Sequence, residues 1–181
     1  MRHHEMEKPQ NDNDYFERMS QVIFMSGLNW QTLEKKWRGI KKAFANFDVN
    51  KVAKFQESKV EELMANPEVI RNLPKIRAVI ANAGQIQAVA AEHGSFAKYL
   101  ANLRREGGED GLRDAISKRF AFLGKGTTVI FLFSVGEDLP KAAREWENQH
   151  SPLPNGTGTP GGTGQDHSPV GSRDGAAGHR R

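Results

Sequence analysis

The chain reads as an all-α domain over residues 1–150, followed by a disordered Gly/Pro-rich tail over residues 151–181. Three observations predict this. Apolar residues recur at spacings of three and four through most of the first 150 positions, which is the period of a helix face. Asn, Asp, Ser or Pro before these runs, and Gly after them, divide the text into short segments. The last 31 residues hold 8 of the 18 glycines and 4 of the 8 prolines, with Leu153 and Val170 as the only large aliphatic residues. Such a segment buries too little apolar surface to offset its ordering entropy.

The elements follow in order. In YFERMSQVIFMSGLN, residues 15–29, Phe16, Met19, Ile23 and Phe24 stand at helical spacing, with Asp12 or Asn13 as N-cap and Gly27 as terminator. Asn29 caps a second helix whose apolar stripe is Leu33, Trp37, Ile40 and Phe44. Asp48 caps a short helix containing Val52 and Phe55, and Ser58 caps KVEELMAN, with Glu61 completing a capping box. Asn66-Pro67 breaks that helix, and PEVI adds one more helical turn. A long helix runs from Leu73 to Gly94, with Pro74 in its first turn. Ser95 caps SFAKYLANLRRE, GGEDG is a loop, and Leu112–Phe120 is helical. LGKG is a turn, Thr127–Val135 a buried apolar helix, and Leu139 to about His150 a charged one. The run VIFLFSV is β-branched and aromatic enough for a strand, but the threonine pair before it would cap a helix. The expectation is seven to nine short helices with no internal repeat.

Composition bounds the function. With no cysteine, the chain has no disulfide framework and no thiolate metal site, and no metal or cofactor is expected. No apolar run approaches the roughly 18–20 residues of a membrane-spanning helix, and the polar start MRHHEMEKPQNDND does not resemble a signal peptide. A soluble intracellular protein is expected. The net charge of +4 and the pI near 9.4 favour an anionic partner. EKKWRGIKK, residues 34–42, carries five basic residues against one acid, and Lys118, Arg119 and Lys125 form a second cluster. Each cluster taken alone also fits a solvated helix face.

The stretch RFAFLGKGTT, residues 119–128, points to chemistry. A helix ends, a glycine turn follows, and a second helix opens on two hydroxyl residues, the arrangement of a helix–hairpin–helix. Gly124 and Gly126 can adopt backbone angles closed to other residues and let peptide N–H groups approach a ligand. With the free donors of the next helix they form an anion site suited to a DNA phosphate. Lys125 adds charge, and Thr127 opens the helix. The alternative is an ordinary glycine turn.

Two further blocks extend this. Gly27-Leu-Asn-Trp30, the basic helix and Phe44-Ala-Asn-Phe-Asp48 resemble the DNA-3-methyladenine glycosylases of type I, whose motif is G-L-S-W, a basic helix, then F-x-x-F-D. Ile70-Arg-Asn-Leu-Pro-Lys-Ile76, continuing to Asn82-Ala83, is similar to that family's I-R-x-x-x-K-I…N-A block, and FLGKGTT to its F-V-G-T-T segment. The resemblance spans roughly residues 15–136. It implies an all-helical helix–hairpin–helix glycosylase fold that excises alkylated purines from double-stranded DNA.

Carried over residue by residue, the resemblance makes Trp30 the indole that stacks on the extruded base and Leu28 the wedge that enters the base stack. A tryptophan at a helix start is otherwise core, as Trp37 and Trp146 are expected to be. The pocket glutamate of the family, eight residues before the tryptophan, is replaced by Val22, and Phe24 and Met25 stand where glutamines are usual. The family's zinc site of two cysteines and two histidines is absent. His3-His4-Glu5 is similar to its Y-H-D segment, which makes His4 and Glu5 candidate pocket residues. Asp138, with Glu137 beside it, stands where other helix–hairpin–helix glycosylases carry a carboxylate that stabilises the departing sugar cation. It is equally an N-cap for the Leu139 helix. The expected protein is a monofunctional N-glycosyl hydrolase, a cytoplasmic, nucleoid-associated monomer. The alternative is a non-catalytic helix–hairpin–helix DNA-binding module.

Overall fold

The computed structural model describes residues 7–151, which contain eight α-helices and no strand. They are α1 (Asp12–Met25), α2 (Trp30–Ala43), α3 (Val49–Val52), α4 (Glu57–Ala65), α5 (Leu73–His93), α6 (Phe96–Arg119), α7 (Lys125–Ser134) and α8 (Pro140–His150). Chain contacts group the described residues up to Gln149 into one compact unit. The tail expected over residues 151–181 lies, from residue 152 on, outside the described residues, as do His3, His4 and Glu5. None of the described helices is long and apolar enough to cross a membrane.

Helices α1 and α5 form the centre. α5 packs on α1, α3, α4 and α6, and α1 also meets α2, α3, α6 and α7. Fully buried Phe16, Phe24, Phe44, Phe47, Phe96 and Phe131 fill the core. Phe44 and Phe47 lie parallel at 5.6 Å, and Trp37 stacks on Phe47 at 5.1 Å. Between them Ala45, Asn46 and Phe47 all take φ near +54° (52°, 55° and 54°). Left-handed backbone costs non-glycine residues roughly 1–2 kcal/mol each. Burial of two phenylalanine rings, about 1.5–3 kcal/mol apiece, offsets it. Asp48 then accepts from the Lys51 N–H at 3.0 Å and starts α3.

Several expected caps are placed differently. Asn11, not Asp12 or Asn13, caps α1. Asn13 Oδ1 instead accepts from the N–H of Val49 (2.9 Å), and Asp12 Oδ1 from that of Phe96 (2.8 Å). Side chains read as local caps thus satisfy the free donors of α3 and α6. The capping box at Ser58 does not form: α4 starts at Glu57, with Gln56 as N-cap and no side-chain cap bond. The early start places Glu57 against Arg77 at 2.8 and 3.0 Å. PEVI is not a helical turn, because Asn66 Oδ1 takes the Glu68 N–H and closes an Asx turn. GGEDG holds the expected break, but as one residue rather than five: α6 is two helical segments that meet at a kink at Gly108 (φ +62°, ψ −156°). Glu109 reaches across to accept from the N–H groups of Lys141 (2.8 Å) and Ala142 (3.1 Å), capping α8. Trp146, expected in the core, is exposed; α8 turns Ala142 inward instead.

Candidate functional site

The Gly27-Leu-Asn-Trp30 segment is a type II turn running into a helix. Ser26 (φ −56°, ψ 117°) and Gly27 (φ +80°) are its central residues, and the Leu28 N–H donates to Met25 O at 2.8 Å. The second central position of such a turn needs positive φ, which is why glycine stands there. Asn29 Oδ1 accepts from the Thr32 N–H at 2.8 Å and starts α2 as expected. The turn leaves Leu28 38% and Trp30 47% exposed, two large apolar side chains side by side at one edge of the fold.

Beneath this turn lies Lys75, on α5. Its ammonium donates to the carbonyls of Phe24 (3.3 Å) and Ser26, and the residue is only 6% exposed. Burial pulls its pKa below the usual lysine range.

The hairpin is held by the same helix. Asn82, almost fully buried, donates from Nδ2 to Ala121 O (3.0 Å) and accepts from the Ala121 N–H (2.7 Å). Phe122 then takes φ +65° and stands 43% exposed, while Leu123 is buried. Gly124 is the N-cap of α7, and Thr128 N–H makes the first helical bond to Gly124 O at 2.9 Å. The N–H groups of Lys125, Gly126 and Thr127 therefore precede the intrahelical ladder. Thr128, buried, spends its hydroxyl on Leu123 O, and Thr127 is half-buried.

The hairpin glycines do not adopt the special backbone angles expected of them. Gly124 has φ −69°, Gly126 lies outside the left-handed region, and a Cβ on either would meet nothing within 4 Å. The left-handed residue here is Phe122.

Lys75 and Asn82 stand seven positions apart on α5, two turns along one face, a rise of about 10.5 Å. The turn with Leu28 and Trp30 and the hairpin with Lys125 are thus pinned to one helix at close range. Neither polar residue has a role in the sequence reading beyond the motif it belongs to. Their signal was a Lys and an Asn set into the apolar face of Ile76, Val79, Ala83 and Ile86. Replacing Asn82 with Ala leaves both Ala121 backbone groups short of their partner. It is expected to destabilise the fold by about 2 kcal/mol, readable in urea melts.

Other expected site residues are not brought to this edge. Val22 is buried and Phe24 fully so, its ring 5.6 Å from that of Phe44. Phe24 is core and offers no face to a base. Asp138 is exposed, and among the described residues its carboxylate has no hydrogen-bond partner. It follows the end of α7, whose ten residues put about 15 Å between that end and the hairpin. Gly136 (φ +86°) ends α7, with Glu137 N–H on Leu132 O and Gly136 N–H on Phe133 O, a Schellman closure. Arg104 then holds Glu137 (2.7 Å) and the Asp138 carbonyl (2.8 Å). Arg18 of α1 donates to the Ser134 carbonyl, which sets the end of α7 against the first half of α1, and the Glu137 carboxylate, after burial, raises the pKa of Tyr15. The cap of α8 is Glu109 rather than Asp138.

The basic clusters are paired in part. Lys118 pairs with Asp114 (2.8 Å), Arg119 with Glu92 (3.0 Å) and Lys41 with Glu17 (3.2 Å). Among the described residues Lys125 has no such partner, and Lys35, Arg38 and Lys42 are exposed.

The profile of the methyladenine glycosylase family matches residues 2–132. This chain belongs to that family. The methyladenine glycosylase family membership agrees with its relatives. It is 27% identical to the DNA-3-methyladenine glycosylase of Haemophilus influenzae over 148 residues, 71% of this chain and 80% of that protein. A 58-residue stretch, 32% of this chain and 31% of the other, is 43% identical to DNA-3-methyladenine glycosylase 1 of Escherichia coli. The fold matches a crystal structure of 3-methyladenine DNA glycosylase I (TAG) at TM-score 0.62 and 28% identity, covering 71% of this chain and 81% of that one. It also matches the Staphylococcus aureus enzyme at TM-score 0.64 and 22% identity, over 72% and 79% of the two chains. The family's Cys2His2 zinc site does not fit this member. The chain has no cysteine, and among the described residues no three His, Asp or Glu side chains converge on a metal position.

Proposed function

We propose that this methyladenine glycosylase family member extrudes an alkylated purine from double-stranded DNA and hydrolyses its N-glycosidic bond without cutting the strand. The observation that carries the reading is the pairing of an exposed Leu28–Trp30 turn with an open hairpin, both fastened to α5 through Lys75 and Asn82. The free N–H groups at the start of α7 and the Lys125 ammonium hold a backbone phosphate. Leu28 enters the stack as the nucleotide leaves, and Trp30 takes the flipped base on its indole face. A cationic base is a good leaving group, so much of the acceleration comes from extrusion and from the indole's attraction for positive charge. The ammonium of Lys75 is buried on two carbonyls and presents no amine for a Schiff base, which supports a monofunctional reaction. The protein acts as a monomer on chromosomal DNA in the cytoplasm.

The deciding experiment incubates the protein with alkylated duplex DNA and identifies released free bases by mass. Release of a methylated purine is expected. Salt-dependent duplex binding with no release from any alkylated substrate would leave a DNA-binding module instead. A second measurement checks the phosphate contact. Lys125→Ala is expected to reduce the slope of log affinity against log salt by about 1, with similar loss on damaged and undamaged duplex.

A further inference from the structure

We propose that Lys75 is a positioning residue for base extrusion: by gripping the carbonyls of Phe24 and Ser26 it fixes the segment that carries Leu28 and Trp30. The inference rests on the glycosylase reading above.

An ammonium at 6% exposure is costly unless its protons are taken up. Among the described residues no carboxylate pairs with it; its acceptors are two main-chain carbonyls at the end of α1. A methionine of similar length would fill the space with less desolvation. What the ammonium adds is the grip on the turn, together with a favourable charge at the C-terminal end of a 14-residue helix.

The grip completes the turn. Phe24 O and Ser26 O are held by Lys75, and Met25 O by the Leu28 N–H. Three consecutive carbonyls therefore have protein donors and none depends on solvent. Docking a duplex strips water from this surface, and carbonyls satisfied by water would lose their partners at that moment. Those held by Lys75 keep them, so Leu28 meets the stack from a frame that does not relax under load. The frame is α5, which also carries the hairpin clasp at Asn82. The wedge is thereby set in register with the phosphate site, where a misplacement of about 1 Å is enough to cost roughly 100-fold in rate.

The test compares wild type with Lys75→Met in four readouts: single-turnover base release, duplex affinity at fixed salt, amide hydrogen exchange over residues 26–30, and 2-aminopurine fluorescence beside the lesion. Loss of two charge-assisted bonds is expected to slow release about 10- to 50-fold, while undamaged-duplex affinity changes less than about threefold, because its contacts come from the hairpin. The Leu28 amide should exchange faster, and the fluorescence rise that reports unstacking should shrink. Lys75→Arg, which keeps charge and donors, should recover part of the rate. Lys75→Gln is read in place of Lys75→Met if the latter does not fold. Unchanged release and exchange in Lys75→Met, with an active wild type, would overturn the inference alone. A parallel fall in release and duplex affinity would also overturn it, since that marks general damage. A wild type that releases no base overturns the glycosylase reading, and the exchange arm then decides by itself whether Lys75 holds the turn.

Discussion

The double variant Gly124→Val, Gly126→Val is expected to bind duplex DNA about 100-fold more weakly than wild type while keeping its fold. Both glycines are exposed, neither has positive φ, and a Cβ on either meets nothing within 4 Å. No internal clash or positive φ opposes the change: at Gly126, inside α7, valine is a better helix residue than glycine by a few tenths of a kcal/mol, whereas at Gly124, the N-cap of α7, valine is the poorer cap. The thermal melt measures that cost to the fold, and the affinity lost beyond it is charged to the ligand. Two branched side chains at the mouth of α7 hold a phosphate away from the N–H groups of Lys125, Gly126 and Thr127. Loss of one or two charge-assisted bonds at roughly 1.5–3 kcal/mol each sets the scale. Because a phosphate contact carries no sequence information, damaged and undamaged duplex should suffer alike. Anisotropy titrations at one salt concentration, beside a thermal melt, make the comparison. Equal affinity in a folded variant would remove the hairpin from the DNA interface.

That neither hairpin glycine takes positive φ was not legible in the chain, and the reason generalises across this molecule. Local chemistry could be read. Asn29, Asp48 and Ser95 cap helices as their spacing suggests. Gly27 takes the positive φ that a helix-ending glycine implies. The long amphipathic stretches became α1, α2 and α5. What failed was decided by distant groups. Two adjacent glycines at 107 and 108 signal a loop, yet the break is confined to a kink at Gly108, and Glu109 just after it caps the first turn of α8 some thirty residues away. Ser58 and Glu61 offer a capping box, but Glu57 pairs with Arg77 and the helix starts earlier. At the site the same division holds. The Leu28–Trp30 segment is shaped by local signals, the positive φ of Gly27 and the Asn29 cap. The Lys75 and Asn82 contacts join residues 49 and 39 positions apart, and nothing in the neighbouring text announces them. Phe24 was drawn toward the pocket by its motif position, although its spacing from Phe16 and Met19 already placed it on the buried face of α1. Asp138 reads as a cap for the last helix, a role that Glu109 on another helix takes instead.

Trp30→Ala is expected to slow base release by one to two decades and to leave nonspecific duplex binding nearly intact. The indole sits at the first position of α2, 47% exposed, so its removal opens no core cavity, and alanine is the best helix former. Stacking on a flipped base is worth roughly 1–3 kcal/mol by alanine substitution, and a cation over the indole face adds to that when water is excluded. If the whole of it is expressed in the transition state, each 1.36 kcal/mol is about tenfold in rate. Selectivity should follow from the same arrangement. Val22 stands where the resemblance leads one to expect a glutamate, and it is buried, so this position offers no acceptor to an adenine amino group. Discrimination then rests on positive charge, shape and weakened pairing, which 7-methylguanine and 3-methylguanine share with 3-methyladenine. Mass analysis of bases released from a mixed alkylated duplex should accordingly show the guanine adducts competing. Unchanged release by Trp30→Ala would make the indole a surface residue of α2. Exclusive release of 3-methyladenine by the wild type would require an acceptor other than position 22, and Glu5, outside the described residues, would be the first to replace with Gln.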